Sequence, residues 1–164
     1  MTLKVAEKNL NPGNVKQSPN NPWYGSVGAD GHGHTIFEET VYGCRALVKT
    51  LQAKYLNDKI SLSSIIADYA PADDTQGSIP GGEPNDPMEY AVTVSKWTGY
   101  DIYQDLRLFS KDGKVGSYDR LLAICRGIER FEAGKLWVLE EDWLEGIALY
   151  LKDFVTNHPK PQQV

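Results

Sequence analysis

Acidic side chains next to apolar ones are the residues whose types and spacing best fit catalytic chemistry. Glu38 and Glu39 directly follow Ile36 and Phe37. A carboxyl group held partly in apolar surroundings acquires the raised pKa of a general acid. The same two acids precede a predicted helix, where negative charges also stabilise the positive end of the helix dipole. The sequence therefore makes Glu38 the candidate catalytic residue and leaves a purely electrostatic role open.

The other polar clusters lack the spacing of a metal site. Acids at 73–74 and 83–86 share one loop, but their spacing is not that of an EF-hand, so we expect them to be solvated. His32 and His34 provide two potential ligands, fewer than a zinc site requires. Motifs of serine nucleophiles, phosphate-binding loops and dinucleotide-binding folds are absent. We therefore expect neither a metal nor a cofactor.

The two cysteines, Cys44 and Cys125, both fall at apolar positions of predicted helices. Buried free thiols are the usual state of such residues. A disulfide would require the two helices to be neighbours, which the sequence leaves open. Cysteine–histidine nucleophilic chemistry is not indicated, because no motif places His32, His34 or His158 near either thiol.

Composition and charge exclude several classes of protein. The chain has 164 residues, of which 41% are hydrophobic and 24% charged, and its formal net charge is −5. Acids and bases are interspersed, whereas a nucleic-acid-binding surface needs clustered lysine and arginine. No apolar run approaches the roughly 20 residues of a membrane span. The N-terminus lacks the apolar region of a signal peptide, so none is expected.

Hydrophobic periodicity and turn residues predict a single, mainly α domain over residues 1–164. Glycines at 28, 31 and 33 with Asp30 favour a small β-hairpin between strands near 24–27 and 34–38. About five helices are expected, with caps at Thr40, Ser61, Asp86 and Ser117 and helix ends at Gly99 and Gly134. They cover about 41–56, 62–69, 87–98, 118–133 and 140–155. Residues 1–25, the loop at 72–85 and the tail at 156–164 are predicted to be irregular.

Four of the predicted helices have an apolar face at helical spacing. The central helix presents the residues Val41, Cys44, Leu47, Val48, Leu51 and Tyr55. The following helices present Leu62, Ile65, Ile66 and Tyr69, then Leu121, Leu122, Ile124, Cys125, Ile128 and Phe131. The last presents Trp143, Ile147, Leu151 and Phe154.

Short motifs follow one another in a fixed order over about residues 10–98. They are N-P-G-N at 11–14, W-Y-G at 23–25, F-E at 37–38, Y-G-C-R-A at 42–46, I-I with Y-A-P at 65–71, and N-D with a tyrosine at 85–90. This order resembles a family of phage and prophage virion proteins with a lysozyme-like domain. It is also similar to the second half of bacterial glucosaminidases, where an N-L-F-G stretch and a W-x-G strand form one wall of the glycan cleft.

The resemblance implies a lysozyme-like fold in a virion protein of the tail or entry apparatus, synthesised in the host cytoplasm. Its implied partners are other virion proteins and peptidoglycan. Asn14, Trp23 and Tyr24 are then the candidate substrate-binding residues on a rigid groove wall. A core-filling role for Trp23 stays open. The alternatives for the whole protein are an active peptidoglycan glycosidase used in cell entry, or a structural adaptor between virion proteins.

One departure from the resembled enzymes bears on activity. Their general acid ends a helix upstream of the N-L-F-G stretch, whereas here ten residues precede Asn11 and Glu7 is the one acid among them. The sequence predicts no helix in that segment. We therefore expect little or no activity on peptidoglycan, and the question of whether the protein is an enzyme stays open.

Overall fold

The chain folds into helices with one small antiparallel sheet, as the sequence predicts. The computed structural model describes residues 2–18, 20, 22–72 and 85–157, with side chains to residue 153. Its elements are α1 (Val5–Lys8), β1 (Ser26–Ala29), β2 (Thr35–Phe37), α2 (Thr40–Leu56), α3 (Leu62–Tyr69), α4 (Pro87–Thr98), α5 (Tyr118–Ala133) and α6 (Glu140–Asn157). The acids at 73–74 and Glu83, the tail from 158 with His158, and the Phe154 side chain lie outside the described part.

The N-terminal segment departs from the prediction that no helix precedes Asn11. It forms the single turn α1, in which Glu7 accepts a hydrogen bond from the Lys4 main-chain N–H at 3.3 Å. Ala6 is fully buried, and Glu7 pairs with Lys135 Nζ at 3.3 Å. One turn is too short to produce a visible periodicity, so packing against the rest of the chain explains this helix better than local preference does.

The hairpin is present, but its strands differ from the predicted ranges. β1 begins at Ser26 rather than near Tyr24, because Gly25 is in the left-handed region and Ser26 N–H bonds back to the Trp23 carbonyl at 3.0 Å. The register pairs Ser26 with Phe37 and Ala29 with Thr35, with an irregularity between Ser26 and Gly28. A turn therefore separates the Trp23–Tyr24 pair from the strand.

Local capping residues define most helix ends. Ser61, Asp86 and Ser117 each accept a main-chain hydrogen bond from three residues ahead, at 3.3, 3.0 and 3.3 Å. Gly99 and Gly134 end α4 and α5 in the left-handed conformation. The predicted cap at Thr40 is wrong, because Glu39 is the cap residue of α2, without a side-chain bond, and Thr40 is already helical.

The core lies where α2 packs along α6, α3 packs on α4, and α4 packs on α5. The predicted inner face of α2 is confirmed, since Val41, Cys44, Leu47, Val48 and Leu51 are all buried. Tyr55, Tyr69, Leu122, Phe131 and Leu151 are partly buried against the core, and the remaining described residues of the predicted inner faces are buried in it. None of the described helices is long and apolar enough to cross a bilayer.

Candidate functional site

The N-P-G-N segment forms a tight loop fixed by the amide of Asn11. Asn11 Nδ2 donates to the carbonyls of Val15 and Thr35, both at 2.9 Å, and its Oδ1 accepts from Val15 N–H at 2.9 Å. The Tyr69 hydroxyl donates to the carbonyl of Gly13. The loop then turns at Asn14, which has a φ of 47°, a region that asparagine tolerates better than most residues. These contacts determine where the Asn14 side chain points.

Asn14 contacts a carboxyl group that the sequence analysis did not select. Its Nδ2 donates to Oε2 of Glu132, in the last turn of α5, at 2.9 Å. The Tyr90 hydroxyl donates to Oε1 of the same side chain at 3.0 Å. The Tyr90 ring stacks on Phe131, with ring centroids 3.6 Å apart. Glu132 is therefore held by two side-chain donors beside an aromatic pair.

The surroundings of Glu132 favour its protonated form. Burial raises the pKa of this carboxyl group above its ordinary value, while the hydrogen bonds from Asn14 and Tyr90 act in the opposite direction. Burial also raises the pKa of Tyr69 and Tyr90 well above the usual value, so both phenols keep their protons. A carboxyl group with these properties has the character of a general acid.

Glu132 opens onto a cavity of about 590 Å³, which we call the inner cavity. Its lining also includes Asn14, Tyr69, Tyr90 and Trp23. A second cavity of about 610 Å³, the outer cavity, is lined among others by Trp23, Tyr24, Arg45 and Lys49. Both volumes are within the usual range of small-ligand sites.

The structure brings Asn14 and Trp23 together in the inner cavity and places Tyr24 in the outer one. Trp23 lines both cavities, packs partly against the core, and donates its indole N–H to the Lys16 carbonyl at 2.9 Å. Trp23 therefore borders the cavities and also contacts the core, and its position is compatible with a groove wall and with a core side chain. Tyr24 is 61% exposed and meets Tyr42 edge-on, with centroids 5.2 Å apart.

Glu38 lies apart from this site. It follows β2, is exposed rather than partly buried, and lines neither cavity. The apolar setting that made it a candidate acid is therefore missing, although Phe37 beside it is buried. Glu7 is also outside both cavities and pairs with Lys135.

The histidines of the hairpin line the inner cavity but serve a hydrogen-bond network. Asp30 accepts from Asn9 Nδ2 at 2.8 Å, from the main-chain N–H groups of His32 and His34, and from His34 Nδ1 at 3.1 Å. Burial raises the pKa of Asp30, but these hydrogen bonds outweigh it and lower the pKa to about 2. Within the described residues no group of three potential metal ligands occurs.

Cys44 and Cys125 are free and buried, as the preferred interpretation predicts. Burial raises the pKa of both thiols far above the ordinary value. Neutral thiols are poor nucleophiles, so both residues act as small apolar core side chains.

Two signals in the sequence mark Glu132 and a second acid, Glu129, as unlike the exposed acids of the chain. Both continue the apolar face of α5: Glu132 lies four residues after Ile128, and Glu129 lies four residues after Cys125. Glu132 also falls in the last helical turn, where the helix dipole disfavours an acid. Glu129 is fully buried and accepts three hydrogen bonds, which makes it structural.

The inner cavity combines a carboxyl group whose pKa is raised by burial, an amide and an aromatic wall. Such a set can bind a polar ring compound and deliver a proton to one of its oxygen atoms. No protein-family model matches the chain, and no curated protein is similar to it.

Proposed function

We propose that the chain is a peptidoglycan-cleaving glycosidase that uses Glu132 as its general acid. The observation that carries this proposal is the hydrogen bonding of the Glu132 carboxyl group by Asn14 and Tyr90 at the inner cavity, where burial raises its pKa. A glycosidase needs a carboxylic acid that is still protonated near the working pH. Glu132 replaces Glu38 as the candidate for that role.

In the proposed hydrolysis, Glu132 gives its proton to the glycosidic oxygen as the bond from that oxygen to the anomeric carbon breaks. A water molecule then adds to the anomeric carbon, and the proton that this water loses returns to Glu132. Between these two proton transfers, the Glu132 carboxylate keeps its hydrogen bonds from Asn14 and Tyr90. Charge-assisted hydrogen bonds are stronger than neutral ones, so both donors stabilise the state after proton transfer. Among the described lining residues of the inner cavity Glu132 is the one carboxylate, unlike the two-carboxylate arrangement of many glycosidases.

The resembled glucosaminidases also carry their general acid at the end of a helix, although at a different place in the chain. In those enzymes the general acid ends a helix that precedes the N-L-F-G stretch. Here Glu132 ends a helix that follows the N-P-G-N stretch, 118 residues after Asn14, yet its carboxylate lies 2.9 Å from the Asn14 amide. In this proposal the acid therefore comes from a helix on the C-terminal side of the N-P-G-N stretch.

The proposed setting is a phage particle, with the protein as a tail or entry component made in the host cytoplasm. This follows from the motif resemblance alone. Peptidoglycan is then the substrate met during entry, and other virion proteins are the structural partners.

The test compares the protein with Glu132→Gln and Glu38→Gln on purified peptidoglycan between pH 4 and 8. New glycan ends are counted by mass spectrometry. Loss of general acid catalysis should slow Glu132→Gln by about 10²–10⁴-fold, while Glu38→Gln keeps the rate of the unchanged protein. A protein with no turnover at any pH would contradict the enzymatic proposal, and activity that depends on Glu38 would return the acid to that residue.

The second candidate is a structural adaptor without enzymatic activity. Exposed leucines around the connection from α5 to α6 favour it, since Leu136, Leu139 and Leu144 are 50%, 65% and 55% exposed. Large apolar side chains that cluster at a surface often mark contacts with partners. Two results together would favour this alternative: Leu139→Glu is not incorporated into particles, and the unchanged protein cleaves no glycan.

A further inference from the structure

We infer that the outer cavity is a subsite for a carboxylate-bearing substituent of the glycan strand. This inference rests on the proposed function, because it concerns the cavity next to the one that Glu132 lines. It adds a statement about the charge of the substrate, because the proposed role of Glu132 does not specify that charge.

The two cavities are neighbours, because Trp23, Thr50 and Lys54 line both of them. A chain of sugar rings that places one glycosidic bond at Glu132 would extend its neighbouring rings past Trp23.

The outer cavity is lined by three cations of α2. Arg45 and Lys49 are one helical turn apart, and Lys54 lies further along the same helix. Like charges at this spacing destabilise a helix slightly, and the whole chain is acidic with a formal net charge of −5. Asp68 is the one acid among the described lining residues. The cavity lining thus carries three cations and one acid.

Two of these cations already have carboxylate partners. Arg45 bonds Asp153 through Nε at 2.7 Å and Nη2 at 2.6 Å, and Lys54 Nζ bonds Asp68 at 2.6 Å. Lys49 is partly buried and has no carboxylate partner among the described residues. Its ammonium group is therefore the cation available to a ligand.

The neighbouring aromatics define the kind of anion that fits. Tyr24 and Trp23 flank the cations, and Arg45 lies over the Tyr24 ring at 5.5 Å from its centroid. An aromatic wall beside a lysine suits a sugar ring that carries an acid. In peptidoglycan such acids are the carboxylates of lactyl and peptide substituents, whereas a phosphate would belong to a different wall polymer.

The test measures binding by calorimetry with Glu132→Gln, so that no ligand is cleaved. Three probes are used at 20 and 500 mM NaCl: a neutral chitin tetrasaccharide, a peptidoglycan tetrasaccharide with free carboxylates, and an oligomer of glycerol phosphate. The carboxylated tetrasaccharide should bind more tightly than the neutral one at low salt, and high salt should reduce this preference. Adding Lys49→Ala should weaken its binding about three- to fivefold, the size expected for a solvent-accessible ion pair.

Lys96→Ala is the matched control, because Lys96 is an exposed helical lysine outside both cavities. It changes the net charge equally and should leave binding unchanged. Equal binding of the neutral and carboxylated sugars would overturn the subsite and leave glycan binding intact. Preference for glycerol phosphate would overturn the carboxylate assignment. Failure of both sugars to bind would contradict the proposed function together with this inference.

Discussion

Replacing Glu129 with alanine should destabilise the protein strongly. This carboxylate is fully buried and accepts hydrogen bonds from Trp137 N at 2.7 Å, Val138 N at 2.8 Å and Trp143 Nε1 at 2.9 Å. The alanine variant leaves three buried donors without an acceptor, and each costs about 1–3 kcal/mol. Water that enters the space left by the side chain can accept from some of these donors, which reduces the cost in free energy. Comparable disruptions of buried charged groups cost about 3–5 kcal/mol, which is the loss expected here.

Glu129→Gln separates the geometry of the network from its charge. Glutamine keeps the oxygen that accepts from Trp137 and Val138, but it places an amide N–H group against the Trp143 indole N–H. We expect a loss of about 1–3 kcal/mol from this conflict between donors. Trp143→Phe removes the opposing donor, so the double variant should lose less than the sum of the two single variants.

Urea unfolding followed by tryptophan fluorescence measures these losses. With an m-value of about 2 kcal/mol per molar, a loss of about 4 kcal/mol lowers the midpoint by about 2 M. A Glu129→Ala loss below about 1 kcal/mol would refute the structural role of this carboxylate. Strict additivity of Glu129→Gln and Trp143→Phe would show that the two side chains do not interact.

Four further perturbations test the site and the core. The raised pKa of Glu132 means that the folded protein holds this proton more tightly than the unfolded chain. Its stability should therefore fall relative to Glu132→Gln as the pH rises above about 4.5, as measured by thermal unfolding from pH 4 to 8. Leu47→Ala should cost about 2–5 kcal/mol in urea unfolding, because the side chain is fully buried. Trp23→Ala should weaken glycan binding in calorimetry while lowering Tm by less than about 4 °C, and a larger drop would make this residue mainly a core side chain. Gly43→Ala should cost about 1–3 kcal/mol, because its Cβ would lie 2.2 Å from a main-chain oxygen of the N-terminal loop; Gly31→Ala, with open space around it, is the control.

The helices were predictable where local chemistry defines both their faces and their ends. Ser61, Asp86 and Ser117 are all observed as caps, and Gly99 and Gly134 end their helices as predicted. These signals act within one turn of the chain, so the sequence contains them directly. By contrast, α1 is held by a distant ion pair and by burial, and neither is visible in a local pattern.

The sequence selected residues on one side of the inner cavity only. Asn14 and Trp23, predicted as a groove wall, both line this cavity, while their role in binding stays a prediction. Glu132 was not selected, because its contact with Asn14 spans 118 residues. Hydrophobic periodicity assigns apolar residues to a core, but it does not say what an acid on the same face will meet. Glu38 was predicted as the acid because Ile36 and Phe37 precede it, but its side chain is exposed.

Two carboxylates three residues apart on α5 show how different surroundings give one residue type different roles. Glu129 accepts from three N–H groups and so attaches the end of α5 to the segment that leads into α6. Glu132, one turn further on, has two side-chain donors and faces the inner cavity. Asn11 fixes the loop on the other side of that contact. The pair of Asn14 and Glu132 is thus held from both sides before any ligand binds, and preorganisation of this kind lowers the cost of orienting a catalytic group.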